Sequence, residues 1–280
     1  MRLPHAVWKA YRDELIDKIV NKWKSAAERI VIERLPAIAR QVAADQPGQR
    51  LDAWPDDITV LIEQLRGDYD VLSHQSREIA HGTFRMVNAL SHQQWYAHAK
   101  RVLGLDLMSL EPWIQNEAKA WTQENVSLIT KLQADTVEDI NRVVTSGFRT
   151  GKRVKSIRDE ILGTDLDKGV FNKVETRAQL IARDQSSKLW GDLNKHRQEE
   201  IGVSLYIWRT SDDERVRSTH DNLDDKYCSW DDPTVYADTL EDAIAGRWKQ
   251  RSSINAYVGF PGEDFQCRCY AEAVFETLFR

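Results

Sequence analysis

The chain reads as mostly α-helical with a small C-terminal α+β domain of two or three antiparallel strands, and three observations carry that reading. Ahead of Gly202, apolar residues recur at three- and four-residue steps, the period of an amphipathic helix. VSLYIWRT (203–210) breaks that pattern: it alternates and is rich in β-branched and aromatic residues, as a strand is. CRCYAEAVF (267–275) reads as a second strand, with Pro233, Gly259, Pro261 and Gly262 punctuating loops between the two. The expected division is an N-terminal helical region (1–110), a long-helix region (111–202) and a Cys/His-bearing part (203–280).

The first helix is expected from Trp8 to about Val42, on the stripe Trp8, Tyr11, Leu15, Ile19, Trp23, Ala26 and Ile30, with Pro36 expected to kink or end it. Asp45 to Trp54 is a turn-rich linker. Pro55 stands at the start of a short helix with the stripe Ile58, Leu61, Ile62 and Leu65, which Gly67 is expected to end. Residues 68–103 hold one or two helices, with Gly82 a weak point and Gly104 a stop. His74 and His81, seven apart, share a helical face, but with no cysteine nearby they read as solvated or hydrogen-bonded rather than metal-bound. Ser109 to Pro112 opens the next helix, whose stripe runs from Trp113 through Trp121, Leu128, Leu132, Val137 and Ile140 to Val144 and ends near Gly147. Residues 173–201 form another, with Gly202 in the stop position.

Composition narrows the function classes. Ten tryptophans and 41% hydrophobic residues describe a folded chain rather than a disordered one. With 39 basic and 44 acidic residues the net charge is −5, so no global positive field recruits nucleic acid, and any DNA contact must be local. The candidate is the run Arg149 to Arg158, with five basic residues, in which Lys152, Arg153, Lys155 and Arg158 would meet phosphates. The competing reading, which the lack of interleaved aromatics favours, is a solvated face paired with Asp159 and Glu160. Three cysteines, two of them one residue apart, do not make a disulfide framework and point to a reducing cytosol. The N-terminus lacks an apolar signal core, and no run of apolar residues is long enough to span a bilayer.

All three cysteines, Cys228, Cys267 and Cys269, lie in the last third beside the lone His220. His220, Cys267 and Cys269 supply zinc-type ligands, with Cys228 or one of Asp212, Asp213 and Asp224 as a fourth, although the spacing fits none of the common fingers. The alternative is a metal-free cluster of buried reduced cysteines with a hydrogen-bonded His220. A cross-link of either kind would offset the entropy of ordering the polar loop expected from Asp212 to Tyr257. Cys267 and His220 as nucleophile and base is a weaker reading, because two adjacent thiols are poorly placed for selective activation. The acidic residues Asp221, Asp224, Asp225, Asp231 and Asp232 read as turn chemistry before they read as a Mg²⁺ site. No P-loop, GxGxxG, GxSxG or HExxH occurs.

The run Ala182-Arg183-Asp184-Gln185, then Gly202, Tyr206-Ile207-Trp208-Arg209-Thr210, Asp213-Glu214-Arg215-Val216-Arg217, His220, Leu223-Asp224, Trp230-Asp231-Asp232-Pro233, Pro261-Gly262-Glu263-Asp264 and Cys267-Arg268-Cys269 resembles the phage head morphogenesis family of Mu F-type minor head proteins. The likeness covers roughly 120–275. It makes Trp208, Asp213, Arg215, Val216, Arg217, Asp224 and Arg268 the structural motif. Asp225 departs from it, standing where family members commonly carry Gly. Cys228 is not a family cysteine. The resemblance implies a non-enzymatic minor capsid component acting at procapsid assembly, in the host cytoplasm and then in the virion head. Its implied partners are the portal protein and the major capsid or scaffolding protein, with packaged DNA a further one. Two readings from other classes stand beside it: a metal-dependent hydrolase or nuclease, and a DNA-binding module using Arg149 to Arg158 and Arg247 to Arg251. The N-terminal helices, with their stripes and tryptophans, are the expected docking surface.

Overall fold

The computed structural model describes residues 2–44, 53–104, 111–164 and 169–275. Most of the linker expected at 45–54, and the positions Ser109 and Leu110, lie outside them. The helices are α1 (His5–Leu15), α2 (Asn21–Ala44), α3 (Ala53–Ser73), α4 (Ser76–Leu103), α5 (Ile114–Arg149), α6 (Val154–Leu162) and α7 (Gly169–Glu200). Short elements follow: β1 (Leu205–Arg209), α8 (Ser218–Asp221), β2 (Tyr227–Ser229), β3 (Val235–Tyr236), α9 (Leu240–Ile244), β4 (Lys249–Gln250), a 3₁₀ turn (Arg251–Ile254) and β5 (Tyr270–Val274). Mostly helix with a small antiparallel C-terminal part is thus the fold. It forms two compact units, one of Met1–Lys9, Gly82–Trp121 and Arg183–Arg280, the other of Ala10–His81 and Thr122–Ala182.

The second unit is built on helical stripes. Tyr11, Leu15, Ile19 and Trp23 are all buried, yet they recur at every fourth residue, a longer period than 3.6. A single π-helical turn at Ile16–Val20 absorbs the difference, so the stripe stays on one face from α1 into α2. Pro36 does not end α2, which runs through it to Ala44. Gly67 likewise lies inside α3, which continues to Ser73. Its burial is decided by flanking Leu65 and Tyr69, and tertiary packing outweighs the roughly 1 kcal/mol that glycine costs a helix. Gly82 also stays within α4, whose break from α3 falls at His74 and Gln75 instead. Gly147 is inside α5 as well, where a Cβ would lie 2.5 Å from the Ile157 side chain, so the α5–α6 approach requires its absence.

In the first unit, Arg197 on α7 is fully buried and holds Glu111 through Nε–H to Oε1 at 2.6 Å and Nη2–H to Oε2 at 3.1 Å. The same guanidinium donates to Ser91 Oγ at 2.6 Å and to the Asn88 carbonyl oxygen, tying α7 to α4. Gly202, at φ +78°, ends α7 as a left-handed stop and turns the chain into β1. β1 is the centre of a three-stranded antiparallel sheet ordered β2-β1-β5, and β3 and β4 pair as a separate ribbon. Period two divides β1 between two cores. Tyr206 and Trp208 face a cluster with Leu223, Cys228, Trp230, Cys267 and Cys269, while Leu205 packs with Ala237, Ala243 and Val274.

Candidate metal centre and its hydrogen-bonded frame

Two expectations about this region are corrected. The segment 212–257 is not a polar loop with little to bury. It carries β2, β3, α8, α9, β4 and a 3₁₀ turn, and places Leu223, Cys228, Trp230 and Tyr236 in the core. Cys267 and Cys269 do not lie on a strand either, since β5 begins at Tyr270. They precede it, where the chain leaves a turn in which Cys267 N–H donates to Asp264 O at 3.0 Å.

His220, Cys267 and Cys269 nevertheless converge. Their ligand atoms all lie within 4.8 Å of one another. His220 Nδ1 is 3.5 Å from the Cys267 sulfur and 3.4 Å from the Cys269 sulfur, and its Nε2 is 3.1 Å from Asp264 Oδ2. Because a carboxylate only accepts, Nε2 carries a proton towards Asp264. The Cys269 amide donates to the Cys267 sulfur at 3.4 Å. The neighbouring Cys269 sulfur and the His220 ring lower the Cys267 thiol, and the same neighbourhood, with burial, pushes Cys269 up. Trp208 covers the histidine edge-on at 5.7 Å between ring centroids, and Tyr257 lies 4.6 Å away on that ring. The fully buried Trp208 N–H meets no acceptor at hydrogen-bonding geometry, but is near enough to the Cys269 sulfur to favour its thiolate.

Cys228 is not part of this group. It sits opposite Tyr206 across the β1–β2 ladder, where burial pushes its thiol up. Asp213 and Asp224 are also not ligands, and neither is Asp212, which takes a left-handed turn position at φ +51°.

The motif residues build a frame around the centre. Asp213 accepts both Nη groups of Arg268, the residue between the two cysteines, and caps a turn by accepting the Arg215 N–H at 3.0 Å. Val216 N–H closes the same turn on Asp213 O at 2.9 Å. Arg217 reaches Asp264 Oδ2 at 3.1 Å and the Phe265 carbonyl at 2.7 Å, so it orients the carboxylate that orients His220. Asp224 accepts the Thr210 amide at 2.8 Å. Asp225, where the family pattern has Gly, stands at φ +62°, the left-handed conformation that Gly adopts freely and Asp tolerates.

Helix α7 anchors the turn from outside. Asp184 accepts the Gln266 amide at 2.6 Å, and a Cβ on Gly191 would lie 2.6 Å from the Pro261 carbonyl, so the Pro261-Gly262 turn rests directly on helix backbone. Cys267, Arg268, Cys269, Arg183, Ser187 and Trp190 also line a cavity of about 510 Å³.

Sequence reasoning missed Arg251. By sequence it groups with Arg247 as a candidate DNA contact, but it is fully buried, and Arg247 pairs with Asp242 at 2.7 Å. Arg251 donates to the carbonyls of Val235 at 3.0 Å, Tyr257 at 3.2 Å and Gly259 at 2.8 Å, and to the Tyr206 hydroxyl at 3.2 Å. Nothing local marks such a residue, because its partners are distant backbone carbonyls. At the start of α6 and just before it, by contrast, Lys152, Arg153, Lys155 and Arg158 are exposed, and Lys152 pairs with Glu160 at 2.6 Å. His74 and His81 join no metal-type group among the described residues.

Comparison with known proteins bears on the same region. Residues 138–272 match the family model described as phage Mu protein F like protein. A relative from Haemophilus influenzae (strain ATCC 51907 / DSM 11121 / KW20 / Rd), described as an uncharacterized protein, is 30% identical over 206 residues, covering 72% of this chain and 40% of the relative. The chain therefore spans well under half the length of that relative. No solved structure matches. The matched segment holds α6, α7, most of the three-stranded sheet and the whole Cys/His centre, and over it the chain is similar to phage Mu protein F.

Proposed function

We propose that this protein is a structural component of phage head morphogenesis, a minor capsid protein that works through protein contacts rather than catalysis. The observation that carries the reading is the family match over residues 138–272. It is supported by how the motif residues are used: Asp213, Arg217, Asp224 and Arg268 are spent on internal bonds that hold turns in place. In this reading the protein joins the procapsid in the host cytoplasm, stays with the virion head, and sits at the portal vertex against the portal, major capsid or scaffolding protein. No described helix is long and apolar enough to cross a membrane.

In this reading the docking surface lies within residues 1–110, but not on the buried tryptophans. Trp23 and Trp95 are 0% and 1% exposed and belong to cores. Among the described residues, Ile32, Val60 and Val71, at 50%, 56% and 68% exposed, are the most exposed large apolar side chains there, ahead of Met86 at 39%. Deleting the gene from the phage or prophage that carries it, with electron microscopy of the heads and a count of infectious particles, tests the function. Aberrant or empty heads are expected, and an unchanged yield of infectious particles would refute it. Co-purification with the portal protein encoded alongside it, with Ile32, Val60 and Val71 changed to Asp, tests the surface: binding that persists moves it elsewhere.

A second reading rests on the exposed cations Lys152, Arg153, Lys155 and Arg158 at the start of α6, of which only Lys152 has a carboxylate partner among the described residues. They would contact packaged DNA non-specifically. Affinity for arbitrary duplex should then fall steeply with salt and vanish when Arg153, Lys155 and Arg158 are changed to Glu.

A further inference from the structure

We infer that His220 Nδ1, Cys267 Sγ and Cys269 Sγ form a binding site for one soft divalent cation of the Zn²⁺ class. The inference is independent of the head-assembly reading. The first argument is metric. With Zn–S near 2.3 Å and Zn–N near 2.0–2.1 Å, the S···N edge of a tetrahedral site is about 3.6 Å. The two observed edges are 3.5 and 3.4 Å.

The second argument concerns the tautomer. Asp264 on Nε2 fixes the imidazole proton on that side, which leaves Nδ1 with one in-plane lone pair. Two sulfurs stand at nearly equal distance from that single lone pair. A hydrogen bond uses it for one thiol, and the second thiol must then turn to the first sulfur. A metal ion placed between the three atoms satisfies all of them at once.

The surroundings fit the same ion. A carboxylate on the far nitrogen of a ligating histidine orients the ring and raises its basicity, and Arg217 in turn holds that carboxylate. The Cys269 amide points at the Cys267 sulfur, and the otherwise unpartnered Trp208 N–H is buried beside Cys269. Such N–H groups stabilise sulfur as thiolate. On loading, any thiol proton still present passes to solvent and two thiolates balance the dication, so the filled site carries no net charge where His220 and Cys267 are only 2% exposed. Thiolate and imidazole donors select Zn²⁺ over Mg²⁺ or Ca²⁺, which prefer oxygen. No fourth His, Cys, Asp or Glu joins the group among the described residues. The fourth position therefore belongs to water, admitted through the cavity that Cys267 and Cys269 line. The ion would join segments 47 and 49 residues apart, pinning α8 to the turn before β5.

The test uses the full chain, purified without a histidine tag from zinc-supplemented culture. Elemental analysis should find one zinc per chain. Replacing it with Co²⁺ should give a thiolate-to-cobalt charge-transfer band in the near ultraviolet and the intense visible bands of a tetrahedral ion. Cys269→Ser should remove most of the charge-transfer intensity, Cys228→Ser should leave it intact, and Asp264→Asn should weaken affinity by roughly 10–100-fold. If the cysteine variants fail to fold, cobalt titration of the chelator-treated wild type decides alone. Substoichiometric metal together with no charge-transfer band from the reduced wild-type protein would overturn the proposal, leaving a metal-free hydrogen-bonded cluster. A cobalt spectrum lost in Cys228→Ser and kept in Cys269→Ser would overturn the assigned ligands.

Discussion

Two buried tryptophans show how differently two regions of this protein are held together. Trp23 stacks on Tyr69 at 5.3 Å and 14°, in a stripe of leucines and isoleucines. Trp208 is surrounded by a histidine, the Arg251 guanidinium 5.4 Å from its ring, and Tyr257. Neither indole N–H meets an acceptor at full hydrogen-bonding geometry, although that of Trp208 lies beside the Cys269 sulfur, so the difference between the two lies in their neighbours. Around Trp23 the fold needs apolar volume, which many side chains can supply. Around Trp208 it needs particular donors at particular carbonyls, which few can. The helical unit should accordingly tolerate exchange of shape for shape, and the 203–275 region should not.

The largest expected effect comes from breaking that region at its buried cation. Arg251→Met keeps much of the side-chain volume but orphans three carbonyls and the Tyr206 hydroxyl. Exchanging a whole buried ionic group for apolar residues can be neutral. Here only the donor is removed, and unsatisfied buried acceptors cost about 1–3 kcal/mol each. A loss of at least ~3 kcal/mol is expected, with hydrogen exchange rising first between β3 and Gly259 while α2 and α3 keep their protection. Tolerance of Met here would erase the distinction between the two regions.

The matching change on the other side is Leu35→Met, at a position that is fully buried in α2. A volume-conserving swap in an apolar stripe should cost less than ~1.5 kcal/mol in denaturant titration, without altering the slope. A cost near that of Arg251→Met would mean that the helical unit is as specific as the sheet.

The same contrast explains what was legible beforehand. Helical stripes are local, so Ile58, Leu61, Ile62 and Leu65 announce their own burial, and the four-residue spacing of Tyr11, Leu15, Ile19 and Trp23 even carries the π turn for a reader who measures its period. Stops are less local. Pro36 and Gly67 look like breakers, and the packing of Leu35, Ile38, Leu65 and Tyr69 on either side overrides them. In the 203–275 region residue type indicated the chemistry: His220, Cys267 and Cys269 could be grouped because few other residues there bind metal. It did not indicate the geometry. Arg251 reads as a surface cation, Cys228 reads as a fourth ligand, and Cys267 and Cys269 read as strand, because each is placed by bonds to residues far along the chain. Asp264 carried no mark beyond its neighbours, although it stands three residues before Cys267 in the resemblance.

A smaller effect sharpens the comparison through acid. The Arg268 side chain beside Asp213 holds its carboxyl well below the usual carboxylate range. A depressed carboxyl contributes stability that is present above the unfolded value near 4 and is lost as pH falls through the folded one. The turn at Asp213 to Val216 should therefore loosen on acidification before the apolar helical unit melts. Asp213→Asn should make the protein less stable at neutral pH and flatten this acid dependence, read as melting temperature between pH 6 and pH 2. Because the pair is at the surface, salt should mute the effect.

The smallest expected change lies on the α5 and α7 side of the first unit, away from the sheet. The Glu117 carboxylate beside the His196 imidazole raises its pKa above 6.5, against a partial loss of solvation, while Trp113 stacks on the ring at 4.8 Å. For a raised histidine the sign is opposite to that of Asp213: its contribution is complete below 6.5 and disappears as pH rises through the folded value. Titration of the His196 ring by NMR should show a midpoint above that of a free histidine, and Glu117→Gln should move it down. The ring is half-buried and its partner 3.7 Å away, so the accompanying change in stability should be slight. If Glu117→Gln instead destabilised the fold at pH 5 as severely as Arg251→Met, polar contacts would matter as much between helices as they do around Trp208, and the contrast between stripe and frame would fail.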